Sequence, residues 1–322
     1  MKTTGGVSAA EQKTIGWIDA GARTDVAHEA MDYLESARQL ERSELFTSYC
    51  QWRHGVDEER GEGDRFLAEL QLLRDHAASD ADTTRLVQDA VDHLGDEGPE
   101  PTTVHDGPQA ALAGSYIEDI LAGERGEATR RILAAVESGL SIRDLYLEVF
   151  EPVLAEIGYR WETNQISVGQ EHYCTAVTQS IMAQLFPYIF SSSLKSKRLV
   201  ATSVAGNLHE IGIRMVADLF EMSGWDTHYL GANMPVADLV ASLRDLQPDA
   251  VAISVMLTSQ ISAAGETIDV IRADEALRDV LVVVGGRALR LEPDLAERLG
   301  ADAWAVDPEQ AAALVDEMLA DK

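Results

Sequence analysis

His209 is the residue of this sequence whose type and setting most clearly suit chemistry. It lies in the polar turn Asn207-Leu208-His209-Glu210-Ile211-Gly212, between a segment patterned as a buried strand and one patterned as an amphipathic helix. Open α/β sheets bind ligands at the carboxyl ends of their strands, and a neutral imidazole is a good ligand for late first-row metals. We therefore predict that His209 binds a metal or cofactor. A histidine that only caps the helix is the alternative.

The elements that must position this turn alternate between strand and helix from residue 197 to residue 322. Short apolar runs predict five strands, at Leu199–Val204, Asp226–Leu230, Ala250–Val255, Val280–Val284 and Trp304–Val306. Helices are predicted near residues 210–222, 235–245, 260–272, 291–299 and 308–320. This alternation is typical of a doubly wound, parallel, five-stranded α/β sheet, a Rossmann-like domain.

Helical patterns dominate the rest of the chain. Residues 108–190 predict a four-helix bundle, with helices at 110–121, 127–136, 141–159 and 168–186. Residues 95–107 are polar and rich in proline and glycine, which predicts a linker. Residues 1–94 predict an all-helical domain with one helix from Asp25 to about Trp52 and another from Asp64 to Ala78. Its role stays open between a packing or dimerisation module and a sensory or output module.

Three motifs follow one another at the ends of predicted strands: Asn207-x-His209-x-x-Gly212, Ser254-x-Met256 and Gly285-Gly286. Their order and spacing resemble the signature of cobalamin-binding α/β domains in methionine synthases, corrinoid carrier proteins, mutases and light sensors. That signature reads Asp/Glu-x-His-x-x-Gly, Ser-x-Leu and Gly-Gly. The resemblance implies that His209 is the lower axial ligand of cobalt. It also implies that the remaining motif residues contact the cofactor, whose tail passes Ser254 and Thr258 and ends near Gly285-Gly286; these residues are Asn207, Leu208, Gly212, Ser254, Met256, Thr258, Gly285 and Gly286.

Two positions depart from that signature. Asn207 stands where a carboxylate usually holds the histidine, and its amide oxygen can accept the imidazole N–H but cannot take up a proton. Ligation by His209 is expected to survive with weaker proton coupling. Met256 replaces a leucine, a change that conserves volume.

The bundle carries a second motif, in which Trp161 is followed after nine residues by Glu171-His172. It resembles the Trp-x9-Glu-His motif in the helical cap of light-responsive, adenosylcobalamin-binding regulators. The resemblance implies that Trp161 and Glu171 line a pocket for the adenosyl group, with Val168 and His172 beside them. An indole can cover an adenosyl group and a carboxylate can accept its hydrogen bonds. Glu162 stands where some light sensors have a histidine after the tryptophan, so a photoproduct with a second histidine ligand at that position is not expected.

Composition limits the range of functions. The formal net charge is −29 and no segment is basic, so direct binding to nucleic acid is not expected. The sequence has no apolar run long enough to span a membrane and no signal-like start, so we expect a cytoplasmic protein. Its two cysteines, Cys50 and Cys174, are far apart, which indicates reduced thiols rather than a disulfide framework.

These features together predict a cobalamin-dependent sensor rather than an enzyme. It would hold adenosylcobalamin between the bundle and the sheet, and light would cleave the cobalt–carbon bond and change an interface with another copy or with a protein partner. Methylcobalamin or hydroxocobalamin are the other possible cofactors. The main alternative is a corrinoid carrier of a methyltransferase system, and a mutase subunit or a storage protein are weaker alternatives.

Overall fold

The structure, a computed structural model, describes residues 14, 17–18, 22–39, 42–94, 104, 107–189, 195–290, 294–305 and 308–320. The chain divides into two compact units, one of residues 1–100 with 162–164 and the other of residues 101–161 with 165–322. Most of the predicted linker of residues 95–107 lies outside the described residues. No helix in the described part of the chain is long and apolar enough to cross a membrane.

Between residues 22 and 94, the structure describes the helices α1 (Thr24–Gln39), α2 (Ser43–Glu59), α3 (Gly63–His76) and α4 (Ala81–Asp92) of the first unit. The prediction of one helix from Asp25 to Trp52 is therefore wrong. Arg42 has extended backbone angles before α2, a local break that the apolar spacing does not reveal. Inside the unit, the Arg23 guanidinium contacts the buried carboxylates of Asp57 and Glu69 at 2.6 and 2.8 Å.

The second unit begins with the predicted bundle. Its helices are α5 (Ala110–Leu121), α6 (Arg125–Glu137), α7 (Ile142–Leu145), α8 (Glu151–Glu162), α9 (Val168–Gln184) and the short α10 (Phe186–Ile189). Between α7 and α8 the chain stays helical but forms a π-helical turn, Tyr146–Phe150. Hydrophobic spacing alone does not predict such a turn, because one added residue leaves buried side chains on both sides.

The predicted parallel, doubly wound sheet is confirmed. Its strands are β1 (Arg198–Ser203), β2 (Asp226–Gly231), β3 (Ala250–Ser254), β4 (Leu281–Gly285) and β5 (Ala303–Ala305), in the order β2-β1-β3-β4-β5. They alternate with α11 (Ile211–Met222), α12 (Val236–Leu246), α13 (Ile261–Ala273), α14 (Arg287–Arg290), α15 (Leu295–Arg298) and α16 (Pro308–Ala320). Ser203 pairs with Ser254, and Ser254 pairs with Gly285. The three motifs therefore leave the sheet side by side at one edge.

Helix α11, which follows the His209 turn, is buried on two faces. One face contributes Ile211, Met215 and Leu219 to the apolar core of the bundle. The other contributes Ile213 and Phe220, among others, to a core that it shares with the strands. Burying each such side chain stabilises the fold by roughly 1.5–3 kcal/mol, so α11 holds bundle and sheet together.

Gly286 has a backbone role that no other residue can fill without strain. Its φ is +110°, and a Cβ there would lie 2.3 Å from the carbonyl oxygen of Val255. Gly212 differs, because a Cβ at that position meets no protein atom within 4 Å. No strand approaches Gly212, so its small size leaves open space at the start of α11.

We predict that Gly286→Ala destabilises the protein by about 2 kcal/mol or more, because the methyl group meets backbone and the φ is unfavourable. Gly212→Ala is the matched control and should change stability by less than about 0.5 kcal/mol. Urea unfolding followed by circular dichroism measures both. Equal stability of the two variants would show that the close approach at Gly286 is not a constraint.

Candidate functional site

The orientation of Asn207 determines the chemistry of His209. The Asn207 side chain is fully buried, and its Nδ2 donates to the carbonyl oxygen of Ser254 at 3.1 Å. Its Oδ1 therefore faces the turn, where it accepts from the backbone N–H of His209 at 3.0 Å and lies 3.1 Å from His209 Nδ1. An amide oxygen only accepts hydrogen bonds, so Nδ1 carries the proton and donates.

This tautomer leaves His209 Nε2 with a lone pair. Although His209 is exposed, partial desolvation by the surrounding protein lowers its pKa below the usual histidine value; the charge of Glu171 opposes this and the charge of Arg287 adds to it. A lowered pKa keeps the imidazole neutral, which is the form that binds metals. No hydrogen-bond partner for Nε2 is found among the residues that the structure describes.

Three polar side chains that the sequence patterns did not single out hold the turn in place. The Ser203 hydroxyl donates to the carbonyl of His209 at 3.0 Å, and Asn233 Oδ1 accepts from the N–H of Gly206 at 2.8 Å. Gln260 is a buried residue that directly precedes α13. It donates to the carbonyl of Gly206 at 3.2 Å and accepts from the N–H groups of residues 256 and 257. Each lies in a loop or at an element end, where apolar periodicity carries no signal.

The other motif residues of the sheet lie along the same edge. The Ser254 carbonyl accepts from Val204 N as well as from Asn207, and Thr258 is buried at the start of a 3₁₀ turn (Thr258–Gln260). Met256 is half-buried. Leu208 is 74% exposed, which leaves an apolar surface next to His209.

The bundle supplies the second group of predicted residues. Trp161 and Val168 are 43% and 50% exposed, although both are large apolar side chains. Glu171 accepts from Thr175 Oγ1 at 3.0 Å and lies 2.6 Å from His172 Nδ1. The charge of Glu171 acts on His209, so the structure brings the start of α9 and the His209 turn within electrostatic range of each other.

The donor set indicates what kind of metal group fits. No cluster of three or more His, Cys, Asp or Glu side chains that could hold a metal ion occurs among the described residues. One neutral imidazole instead suits a metal that already carries most of its ligands, as cobalt does in a corrin ring. Cys174 offers no second ligand, because it is fully buried and burial raises the pKa of its thiol to about 11. The residues present therefore fit a cobalamin.

Two polar contacts join the bundle to the sheet domain. The Tyr146 hydroxyl, in the π turn, donates to Asp218 Oδ2 on α11 at 2.7 Å. Gln179 on α9 donates to Glu210 Oε1 at 2.5 Å, and the Tyr229 hydroxyl donates to Glu210 Oε2 at 3.2 Å. Both contacts reach α11 or the residue before it, so they hold the segment that follows His209.

Comparisons with known proteins match the same two regions. A B12 binding domain model matches residues 197–315, and a second B12 binding domain model matches residues 112–186. The dimethylamine corrinoid protein of Methanosarcina barkeri is 27% identical over 180 residues, 54% of this chain and 83% of that protein. The HTH-type transcriptional repressor CarH of Myxococcus xanthus is 27% identical over 238 residues, 72% of this chain and 77% of that protein.

A solved structure agrees at the level of the fold. The monomethylamine corrinoid protein of Methanosarcina barkeri superimposes with a TM-score of 0.58, at 17% identity, over 65% of this chain and 99% of that one. Several further dimethylamine corrinoid proteins of Methanosarcina species are also similar, at 23–26% identity. Of the similar proteins reported above, more are corrinoid proteins than transcriptional regulators, which favours the corrinoid-carrier alternative over the sensor expected from the sequence.

We predict that Asn207→Asp raises the pKa of His209 by about one unit or more, because a carboxylate that accepts from Nδ1 favours the protonated ring. NMR titration of the histidine ring protons in the cofactor-free protein measures this, with His209→Ala to assign the signal. Asn233→Asp adds the same charge to the neighbouring loop and is the control. An equal shift in both variants would contradict a specific role for Asn207.

We predict that Tyr146→Phe destabilises the protein by about 1–2 kcal/mol at neutral pH, because it leaves the partly buried carboxylate of Asp218 without this donor. Burial already raises the pKa of Asp218, and the Tyr146 hydrogen bond opposes that rise. Without it the folded-state pKa rises further above the unfolded value. The unfolded-state pKa is the same in both proteins and cancels, so the loss of stability is largest above the variant's folded-state pKa and shrinks as the pH falls through the folded-state pKa values of variant and wild type.

Urea unfolding of this variant at several pH values provides the measurement. Tyr116→Phe is the matched control, because the Tyr116 hydroxyl pairs at 2.8 Å with the uncharged Thr178 Oγ1 inside the bundle. Its stability loss should not depend on pH between 4 and 8. The same pH dependence in both variants would sink the assignment to Asp218.

Proposed function

Residues 112–186 and 197–315 belong to the B12-binding domain proteins. We propose that the protein serves as a corrinoid carrier in a methyl-transfer system. The bundle of residues 108–190 and the Rossmann-like domain of residues 197–322 hold a cobalamin between them. The observation that carries this proposal is the neutral tautomer of His209, which leaves Nε2 available to cobalt. The corrinoid-protein relatives support the carrier role.

The motif residues divide the work of binding. His209 supplies the lower ligand, and Asn207 fixes the tautomer of His209. Leu208 contacts the corrin ring, and the open space at Gly212 accommodates the corrin side chains. Residues at the ends of β3 and β4 line the passage for the nucleotide tail: Ser254, Met256, Thr258, Gly285 and Gly286.

Methyl transfer makes limited demands on this chain. A bound cobalamin would supply a cobalt centre that can carry a methyl group between partner enzymes. His209 must be neutral whenever it ligates that metal, and its lowered pKa favours the neutral state. Because the Asn207 amide cannot take up a proton, ligation of a metal by His209 would not be coupled to protonation of Asn207.

An adenosylcobalamin sensor is the second candidate, and the cap residues favour it. Trp161 and Val168 leave apolar surface exposed, and Glu171 offers carboxylate oxygens at the start of α9. An indole and a carboxylate suit an adenosyl group, whereas a methyl carrier has no need of such a pocket. Under this candidate, light removes the adenosyl group and changes an interface with a second copy or a protein partner.

Reconstitution in the dark with methylcobalamin and adenosylcobalamin tests both candidates. We predict that His209→Ala shifts the spectrum of the bound cofactor away from the histidine-ligated form, whereas His76→Ala, a surface control, does not. An unchanged spectrum in His209→Ala refutes the ligand role and with it both candidates.

Affinity and light separate the two candidates. For a carrier, the two cofactors should bind within about threefold of each other, a difference below 1 kcal/mol, and green light should leave the size of the protein unchanged. For a sensor, adenosylcobalamin should bind at least about tenfold more tightly, and light should change both spectrum and size. Trp161→Ala should remove that preference, whereas Tyr188→Ala, which alters another exposed aromatic of the bundle, should not.

A further inference from the structure

Arg287 is a cation at the site that no motif assigns. It follows Gly286 at the carboxyl end of β4, and its charge acts on His209. Its side chain is exposed. Three other arginines of this domain have acidic partners: Arg198 pairs with Asp226, Arg244 with Asp274 and Arg272 with Asp302.

No ion pair or hydrogen bond of the Arg287 side chain occurs within the described residues. This lack sets Arg287 apart from most of the described arginines of this chain, which has 55 acidic residues against 26 Lys and Arg. A solvated arginine in so negative a protein would ordinarily lie near a carboxylate. Arg287 instead remains available for an anion that the protein itself does not provide.

The backbone fixes where Arg287 stands. Gly286 is held against Val255, and the N–H of Ala288 donates to the Val255 carbonyl at 3.3 Å. Ala288 and Leu289 are 2% and 1% exposed, so the short helix α14 is anchored by the two residues after Arg287. The guanidinium therefore extends from a rigid base beside the His209 turn.

The chemistry of cobalamin identifies the matching anion. The side chains around the corrin ring are neutral amides, and the nucleotide tail carries one phosphodiester with a single negative charge. A guanidinium binds phosphate oxygens with two parallel hydrogen bonds, a geometry that lysine cannot reproduce. We propose that Arg287 binds the phosphodiester of the cobalamin tail and makes the site selective for complete cobalamins over corrins that lack the tail.

This inference rests on the proposed cobalamin binding, and a pair of ligands separates the two. Hydroxocobalamin contains the tail, and cobinamide is the same corrin without phosphate, ribose and base. Arg287→Gln should weaken hydroxocobalamin binding about tenfold, as expected for one charge-assisted contact, and change cobinamide binding less than about twofold. When hydroxocobalamin binds, the base of its tail must leave cobalt. This step has the same cost in the wild type and in Arg287→Gln, so it does not contribute to the difference between their affinities.

Calorimetric titration measures the four dissociation constants, and absorbance shows whether His209 remains the ligand. Arg278→Gln is the matched control: it alters an exposed arginine before β4, at the opposite edge of the sheet, that pairs with Glu275. It should leave both affinities unchanged. Arg287→Lys should recover part of the loss, and added salt should weaken hydroxocobalamin binding more in the wild type than in Arg287→Gln.

Each remaining outcome has one meaning. Equal weakening of both ligands by Arg287→Gln, or weakening of neither, overturns the phosphodiester contact while leaving cobalamin binding intact. Competition by millimolar inorganic phosphate, equally strong against both ligands, would show a general anion site and also overturn it. Failure of the wild type to bind either ligand would sink the proposed function itself. Circular dichroism verifies that the variants are folded, as the exposure of Arg287 leads us to expect.

Discussion

The two-sided burial of α11 is the constraint on which the rest of this site depends. Met215 and Leu219 pack into the bundle, while Ile213 and Phe220 pack against the sheet. His209 lies two residues before this helix, so its place relative to both domains is set by apolar contacts that it does not make. The hydrogen bonds from Tyr146 to Asp218 and from Gln179 to Glu210 fix the orientation of this helix against the bundle. A metal ligand positioned in this way needs no rigidity of its own.

Neutrality is the second property that the fold gives to His209. The amide of Asn207 can face it only one way, because its Nδ2 is committed to the Ser254 carbonyl. Partial desolvation and the nearby Arg287 then disfavour the charged ring, while the charge of Glu171 on the bundle favours it. The balance between a cation on the sheet side and an anion on the bundle side means that any change in the distance between the two domains also changes the basicity of the ligand.

Much of this arrangement could be predicted from the sequence, and the gaps have physical causes. Apolar runs and their alternation with helices are repeated signals, so the five parallel strands and the bundle were predictable. The motif around His209 was visible because its spacing follows strand ends. Gln260 and Asn233 were missed because a polar residue in a loop looks the same whether it faces solvent or accepts a buried N–H. Arg287 was missed because its significance lies in the absence of a partner, which only the folded chain shows.

The π turn at Tyr146–Phe150 divides one continuous helix into two halves with different angular settings. One extra residue in a helix advances everything after it by about 100° around the axis. Tyr146 meets α11 on one side of this step, and Trp161 lies more than three turns beyond it. The direction of the indole is therefore tied to the π turn. A single residue deleted there would rotate Trp161 by about 100°, but it would also rotate Val153 and Ile157 out of the bundle core, so core packing preserves the step.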